Sequence, residues 1–369
     1  MIKNKRKKLK DKIKESALVT SEFYIKLAFT IFFVGLYLLI FFLCDGITFF
    51  EPAKYSSKYK NEEFQVHVID VENGDAFLIK LPNKKTLMID CGEEKYYRNV
   101  SSYIKQYFYY EKLNQIDYFI LTHADSDHIG SAAKIINDFN VKTLYRPKLY
   151  SNYEVENDLI VEDYNLEISD IYNEVIKSAY KKKCEIQFNE RGKSINIEGC
   201  KIDFLSPQND SYSVDNNYSA VIMLTYNEKK FLFTGDIDES IEKVLIDEFG
   251  KTLKADVLKV AHHGSSTSSS QAFLEIVNPE YAILSASGHS SILPNFDVVN
   301  RIKDNDIKIL ATADCGNFAM KVNNDKIEYY IAEKSDNHLV LILSIFIILT
   351  FIIWRDPFNI INKPRFKNK

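Results

Sequence analysis

Two stretches of this chain are apolar on every face. Residues 27–44 and 337–354 each run 18 positions without an Asp, Glu, Lys or Arg. A helix crosses a bilayer with roughly 20 apolar residues, so the first run predicts a transmembrane helix over 23–44 and the second one over 337–354. The alternative is a pair of helices buried in a core, which the apolar character on every face rather than along a stripe disfavours. Between the runs the pattern changes. Residues 65–71 alternate, Glu72-Asn73-Gly74-Asp75 turns, and 76–81 return as a second strand. Pro82-Asn83-Lys84-Lys85 turns again and 86–89 give a third, so an antiparallel meander is expected. Helical spacing rich in aromatics covers 99–113. The short apolar run 116–121 predicts a strand buried on both faces, with a helix after it over 129–139. Residues 151–183 begin acidic and lack strong strands, which predicts an insertion with one helix over the core. Strand patterning returns at 194–205 and 218–234, followed by a helix at 239–249, a strand at 256–261, and further alternation to 331. Two strand-rich halves with helices outside them predict an α/β four-layer sandwich of helix, sheet, sheet, helix, flanked by the two transmembrane helices.

Charge sharpens this layout. The formal net charge is only −4, yet eight basic residues face three acidic ones before Phe23, and five face one after Trp354. Across 45–337, 33 basic residues face 47 acidic ones, a net of −14. Lys and Arg beside a span favour the cytoplasm. The expected order is a basic cytoplasmic arm at 1–22, a span at 23–44, a tether at 45–63 and a folded domain at 64–336. A second span at 337–354 and a basic cytoplasmic tail at 355–369 complete it. The folded domain then lies outside the cytoplasm of a cell whose membrane holds both spans. A cleaved signal peptide is the rival reading, but no Ala-x-Ala site follows the first run, and Leu43 before Cys44 is too large for a lipoprotein-type cleavage. No Cys-x-x-Cys pair exists, which argues against a zinc ribbon. Cys91, Cys184, Cys200 and Cys315 in the central domain permit three pairings that spacing does not separate.

The densest chemistry lies where the strand at 116–121 meets its helix. His123-Ala124-Asp125-Ser126-Asp127-His128 puts four metal-capable side chains within six positions. Imidazole and carboxylate ligands suit Zn²⁺ or Mn²⁺, and strand ends in α/β layers are where ligands gather. The bland alternative is helix capping by Ser126 or Asp127. Two other strands follow the same plan. Phe231-Leu232-Phe233-Thr234-Gly235-Asp236 delivers a carboxylate, and Val257-Leu258-Lys259-Val260-Ala261-His262-His263-Gly264-Ser265 delivers two imidazoles. The two oxygens of Asp236 could bridge a pair of cations, which sit roughly 3.5–4 Å apart in dinuclear sites.

These motifs, together with Ile69-Asp70-Val71-Glu72-Asn73-Gly74-Asp75 and Leu87-Met88-Ile89-Asp90-Cys91-Gly92, stand in an order that resembles the metallo-β-lactamase fold. The resemblance is nearest to the branch related to the hydrolase domain of ComEC, the DNA-uptake competence family, and covers about 64–331. It implies an αββα sandwich with two divalent metal ions, zinc or manganese, in a cleft at the sandwich edge. By motif match, His123 and Asp125 would serve one ion, Asp127 and His128 the other, and Asp236 would bridge. One of His262 and His263 would complete a shell while the other faces substrate. Asp125 stands where broader relatives have a histidine, and Asn217 where they have another, so the implied shell is oxygen-rich. Asp90 would support the ligands through hydrogen bonds, and Asp75 would fix the meander turn. Two departures stand out: Glu72-Asn73 replaces the branch's Gln-Gly, and Ser290 follows Gly288-His289 where Gly-His-Pro is common. His289 is therefore either a substrate contact or a surface loop residue.

The implied chemistry is hydrolysis of a phosphodiester by a cation-activated water, with no serine nucleophile. Asp127, His262 and His263 are the candidate catalytic residues, the two histidines as proton donor or phosphate contact. Ser265 and Ser268 either line the pocket or cap a helix. The expectation is a membrane-anchored, metal-dependent phosphodiesterase, nuclease included, whose partners are the bilayer and a phosphodiester such as DNA. The net of −14 opposes a polyanion, since DNA binders carry basic stripes and Lys181-Lys182-Lys183 is the only dense basic run of this region. A small or cell-envelope phosphodiester of phosphorylcholine or teichoic type is the alternative substrate. A receptor or scaffold that keeps the fold without turnover is the alternative of another class. Two apolar runs are too few for a many-span pore, so the chain is not expected to import DNA by itself.

Overall fold

The alternation at 65–68 and the mostly apolar runs at 77–81 and 85–89 fold as β1 (Gln65–Val68), β2 (Phe77–Leu81) and β3 (Lys85–Ile89), the expected antiparallel meander. This is seen in a computed structural model that describes residues 2–43 and 63–331 other than 158, 160–168, 209–211, 213, 289, 291 and 324, plus the isolated positions 345 and 348. After β3 the pairing turns parallel through β4 (Ile116–Ile120), β5 (Val141–Arg146) and β6 (Glu185–Phe188). The second half repeats the change of direction. Strands β7 (Ser194–Ile197), β8 (Cys200–Phe204), β9 (Ile222–Tyr226) and β10 (Lys229–Phe233) are antiparallel neighbours. From β10 the pairing is parallel through β11 (Val257–Lys259), β12 (Tyr281–Leu284) and β13 (Lys308–Ala311). The last strands, β14 (Phe318–Asn323) and β15 (Lys326–Ile331), return to the first sheet beside β1. The sheet orders are β15-β14-β1-β2-β3-β4-β5-β6 and β13-β12-β11-β10-β9-β8-β7.

Three apolar cores separate four layers, as the strand and helix patterning predicts. The middle core joins the sheets through residues such as Phe64, Phe77, Phe204, Phe231 and Phe318. One outer core lies between the first sheet and the helices Tyr97–Glu111, Ala132–Asp138 and Asp170–Lys182. The other lies between the second sheet and Glu239–Phe249, Gln271–Val277 and Phe296–Asp304. The helix Asp170–Lys182 belongs to the segment 151–183 expected as an insertion. Its Tyr172, Val175, Ile176 and Ala179 are fully buried, so it is part of the helical layer. A capping box at Ser151 and Glu154 starts the short helix before it, and the Glu154 carboxylate also pairs with buried Arg146 at the end of β5.

The chain divides into two compact units, 1–49 with 333–369, and 50–332; the sandwich lies in the second. The first contains a helix, Ile2–Leu43. The two expected membrane spans are not borne out: among the described residues, no helix is long and apolar enough to cross a membrane. On the first run, side chains are described only as far as Leu36, about half of the roughly 20 apolar residues a bilayer requires. The second, 337–354, lies outside the described residues except at Ile345 and Ile348. Cys91, Cys184, Cys200 and Cys315 are all free thiols, so none of the three pairings forms.

Candidate metal centre

Because β3 to β6 are parallel and β10 to β12 are parallel, both sheets direct their carboxyl ends to one edge of the sandwich, where ligands gather in such folds. Asp90 leaves β3, Thr122 and His123 leave β4, Asp236 leaves β10, and His262 and His263 leave β11. The last two adopt left-handed backbone, with φ of 48° and 51°, which turns the chain sharply at the imidazoles. The turn between β1 and β2 closes over the same edge. Gly74 sits at φ +147°, and a Cβ there would lie 2.4 Å from the carbonyl oxygen of Asp127, so only glycine lets this turn press against the His123–His128 loop.

Four ligand atoms converge. Side-chain atoms of Asp127, His128, Asp236 and His263 all lie within 4.8 Å of one another. His128 Nε2 is 3.2 Å from Asp236 Oδ1, and His263 Nε2 is 3.2 Å from Asp236 Oδ2 and 3.4 Å from Asp127 Oδ2. The two Nε2 atoms are 3.3 Å apart. What lies behind each ring fixes its tautomer. His263 Nδ1 is 2.9 Å from the carbonyl oxygen of Ser285, which can only accept, so Nδ1 carries the proton and the neutral ring keeps its Nε2 lone pair forward. His128 Nδ1 is 2.8 Å from Asp90 Oδ2 and is aimed in the same way. Asp90 is itself held by Thr122, whose backbone N–H and hydroxyl donate to it at 2.8 and 2.6 Å. This carboxylate–histidine arrangement is the one that orients metal-ligating imidazoles.

The donor set fits a divalent cation. Asp236 Oδ1, Asp75 Oδ1 and His123 Nε2 are buried without a hydrogen bond, a costly condition that a cation relieves. Two carboxylates and two imidazoles suit zinc or manganese. The protonation equilibria tell the same story. Burial alone would depress His128 and His263, but Asp236, with Asp90 for the first ring and Asp127 for the second, outweighs it. His128 is raised well above the usual range and His263 to about 9. Burial would raise Asp236 and Asp127, yet the two imidazoles hold both below the usual carboxylate range, with Lys259 adding to the effect on Asp236. Without a cation, protons supply the positive charge the cluster demands.

The other expected residues divide. Asp90 supports His128 as anticipated from the motif. Asp75 does more than fix a turn: it enters the centre, with Oδ2 2.8 Å from Lys259 Nζ and each oxygen 3.9 Å from one ligand imidazole. His123 and Asp125 pair with each other at 3.7 Å and do not join the four-atom cluster. Asp125 caps the helix Ser126–Ile129 through its backbone, and no side chain makes a cap hydrogen bond there. His262 is part-exposed, 4.0 Å from Asp236 Oδ2, with Asn216 Nδ2 3.5 Å from its ring. Asn217 turns to Asp238, donating at 3.0 Å and accepting from the Asp238 N–H at 3.3 Å. Ser265 bonds Thr267, and Ser268 donates to the carbonyl of Ala261. His289 lies outside the described residues.

Lys259 is the residue that sequence reasoning missed. It is 1% exposed, 2.8 Å from Asp75, 3.7 Å from Asp236 Oδ1 and 3.4 Å from the carbonyl oxygen of Gly235. A signal existed: β11 is an interior strand of a sheet covered on both faces, where a lysine needs a buried partner.

Comparison with known proteins agrees with this picture. A family model described as the metallo-beta-lactamase superfamily matches residues 69–189 and 212–289. The chain is 28% identical over 278 residues to ComE operon protein 3 of Bacillus subtilis, covering 72% of this chain and 34% of that protein. It is 28% identical over 293 residues to Recombination protein 2 of Haemophilus influenzae, covering 78% and 32%. With Competence protein ComA of Neisseria gonorrhoeae it shares 38% identity over 117 residues, 31% of this chain and 17% of that one. The chain thus spans about a third of the length of the first two relatives. Among solved structures, the metallo-beta-lactamase fold protein YhfI of Bacillus subtilis aligns with a TM-score of 0.41 and 14% identity, over 67% of this chain and 96% of that one.

Proposed function

The chain belongs to the metallo-beta-lactamase superfamily and is related within it to the ComEC-type competence proteins; from that premise we propose that it is a metal-dependent phosphodiesterase anchored in a membrane. The observation that carries the reading is the pair of imidazoles whose Nε2 lone pairs are held toward Asp236 and Asp127 by Ser285 and Asp90. A divalent cation bound there, zinc or manganese, supplies Lewis acidity toward a phosphoryl oxygen and acidity to water. Residues of the chain do the rest. Asp127, the most exposed member of the cluster, is placed to orient the water. His262 is kept below its ordinary pKa by burial, so it is neutral at pH 7 and open to accept a proton or contact a phosphate. A second cation on His123 and Asp125, shared by Asp236, is supported by the buried, unbonded His123 Nε2 lying 3.7 Å from Asp125.

Two observations support the membrane reading. Phe29, Ile31, Phe32 and Val34 of the helix Ile2–Leu43 are each more than half exposed, an apolar surface without a stripe. The basic arm and tail favour an orientation with both termini in the cytoplasm and the sandwich outside. Protease added to intact cells should remove the sandwich, and full protection overturns this orientation.

The test of the activity uses the full chain in detergent with bis-p-nitrophenyl phosphate. Turnover should vanish in EDTA and return with Mn²⁺ or Zn²⁺. Metal-loaded protein inert toward a panel of phosphate and carboxyl esters would sink the enzyme reading in favour of a receptor or scaffold. The net of −14 over 45–337 favours a small or envelope phosphodiester over a polyanion as substrate.

A further inference from the structure

Glu72-Asn73, the departure from the branch's Gln-Gly, lies in the turn between β1 and β2. The backbone of this turn is unusual. Glu72 has φ 58° and Gly74 φ +147°, so Asn73 stands between two positive values, which side-chain-bearing residues adopt uncommonly. Hydrogen bonds to other strand ends hold that shape. Asp70 N–H donates to Asn317 Oδ1 at 2.7 Å, and Glu72 N–H donates to Asp70 Oδ1 at 3.0 Å. At the end of β3, Gly92 N–H donates to the carbonyl of Asp75 at 2.9 Å. With the turn fixed, the Asn73 side chain reaches the other half of the sandwich. Its Oδ1 accepts from Ser287 N–H at 2.8 Å, across 214 positions of sequence.

Ser287 is two residues past Ser285, whose carbonyl keeps the proton on His263 Nδ1. The Ser285 side chain does not locate that carbonyl, because its hydroxyl is buried without a hydrogen-bond partner. Beyond the end of β12 at Leu284, the two residues after Ser285 are tied down. Ala286 N–H donates to Thr312 Oγ1 at 3.1 Å, and Ser287 N–H donates to Asn73. Thr312 follows β13 of the same sheet, whereas Asn73 comes from the first sheet. Without Asn73 Oδ1, the part-buried Ser287 N–H would lose its acceptor and the Ser285 peptide would lose a restraint. His263 would then keep its Nε2 less firmly aimed at Asp236 and Asp127.

We propose that Asn73 is a positioning residue of the metal centre, acting through Ser287 and the Ser285 carbonyl on the His263 ring. The inference rests on the metal-centre reading of the site and is independent of which bond the centre hydrolyses. Neighbours in the same turn serve other members of the cluster, since Gly74 lies against the Asp127 carbonyl and Asp75 pairs with Lys259. Asp75 Oδ1 is also 3.9 Å from His263 Nδ1, so the test must separate a route through His263 from a general loosening of the turn.

Zn²⁺ binding to the full chain in detergent is measured by titration calorimetry for wild type, Asn73→Ala and Asn73→Asp. Changing the partner behind a metal-ligating imidazole shifts affinity by about 10–100-fold. Asn73 stands one step further out, so Asn73→Ala should bind Zn²⁺ about tenfold more weakly. Asn73→Asp keeps an Oδ1 acceptor and should stay within about threefold of wild type. A double-mutant cycle then reads the route, because residues that act through one another lose additivity. In a His263→Ala background, Asn73→Ala should cost no further affinity. In an Asp90→Asn background, which touches His128 instead, it should again cost about tenfold. Thr312→Val, which removes the neighbouring support of the same segment, should show the same dependence on His263, so the route is read even where Asn73→Ala does not fold. The same loss in both backgrounds overturns the proposal, as do equal affinities of wild type and Asn73→Ala, or an Asn73→Asp variant as weak as Asn73→Ala. A wild type that binds no Zn²⁺ refutes the metal centre and the proposal with it. A Zn²⁺-binding protein inert toward every ester refutes the phosphodiesterase reading alone.

Discussion

Replacing Lys259 by Met tests whether the centre is an electrostatic balance between a built-in cation and an added one. The ammonium is fully buried, 2.8 Å from Asp75 and 3.7 Å from Asp236. Methionine nearly conserves the stem, so the cavity contribution is small and the loss is that of a buried charge partner. Removing one member of a buried pair costs about 3–5 kcal/mol because the other is left uncompensated. In a domain of this size 1 kcal/mol moves Tm by roughly 2–4 °C, so Lys259→Met should melt roughly 10 °C below wild type in EDTA. Saturating Mn²⁺ should narrow that gap. A ligand at a hundredfold its Kd adds about 2.7 kcal/mol, and in the variant the metal both neutralises Asp236 and no longer faces a like charge 3.7 Å from its oxygen. The metal-induced rise in Tm should therefore be larger in Lys259→Met than in wild type. Thermal unfolding followed by circular dichroism, with and without metal, reads both numbers. Unfolding within 2 °C of wild type in EDTA would refute the buried-pair argument, and equal metal-induced rises would show that lysine and cation do not act on the same carboxylate.

Three further outcomes follow from the geometry. His263→Ala removes an Nε2 that lies 3.2 Å from Asp236 and 3.3 Å from the facing imidazole; titration calorimetry should show metal affinity reduced at least a hundredfold, while far-ultraviolet dichroism is unchanged. Asp90→Asn leaves the ligand set intact but weakens the acceptor behind His128 Nδ1, so metal affinity should fall by about 10–100-fold, measured in the same way. Gly74→Ala puts a methyl 2.4 Å from the Asp127 carbonyl on a backbone that side chains rarely adopt; both Tm and bis-p-nitrophenyl phosphate turnover should drop, and wild-type values for both would show that this turn does not hold the Asp127 loop.

Much of the sandwich was legible because its strands are uniform in type. The runs at 77–81 and 116–120 are apolar at nearly every position and fold as strands with both faces covered, and the turn residues between 72 and 85 mark the meander. Asp127, His128, Asp236 and His263 could be anticipated as a group because each follows an apolar strand and carries a side chain with no reason to be buried alone. Lys259 and Asp75 were harder. A single lysine in Val-Leu-Lys reads as the outward position of a strand, and Asp75 reads as a turn former; only the packing of the β1–β2 turn against the end of β11 makes them partners. Asn217 stands where broader relatives have a histidine, and the short helix Asp215–Tyr218 that carries it brings its amide to Asp238, a contact that motif order does not disclose.

The ligand cluster also joins parts of the chain that are far apart. His128 belongs to the first sheet's half and His263 to the second, 135 residues later, and Asp127 and Asp236 divide in the same way. A cation held by all four is thus a staple between two halves of one protein, and it can form only after both have folded and met. Cut between β6 and β7, after Phe188 and before Ser194, the chain would become two fragments whose reassembly depends on metal concentration. Chelation would then loosen only the ligand edge of that seam, because the middle apolar core and the β1–β14 pairing also join the halves.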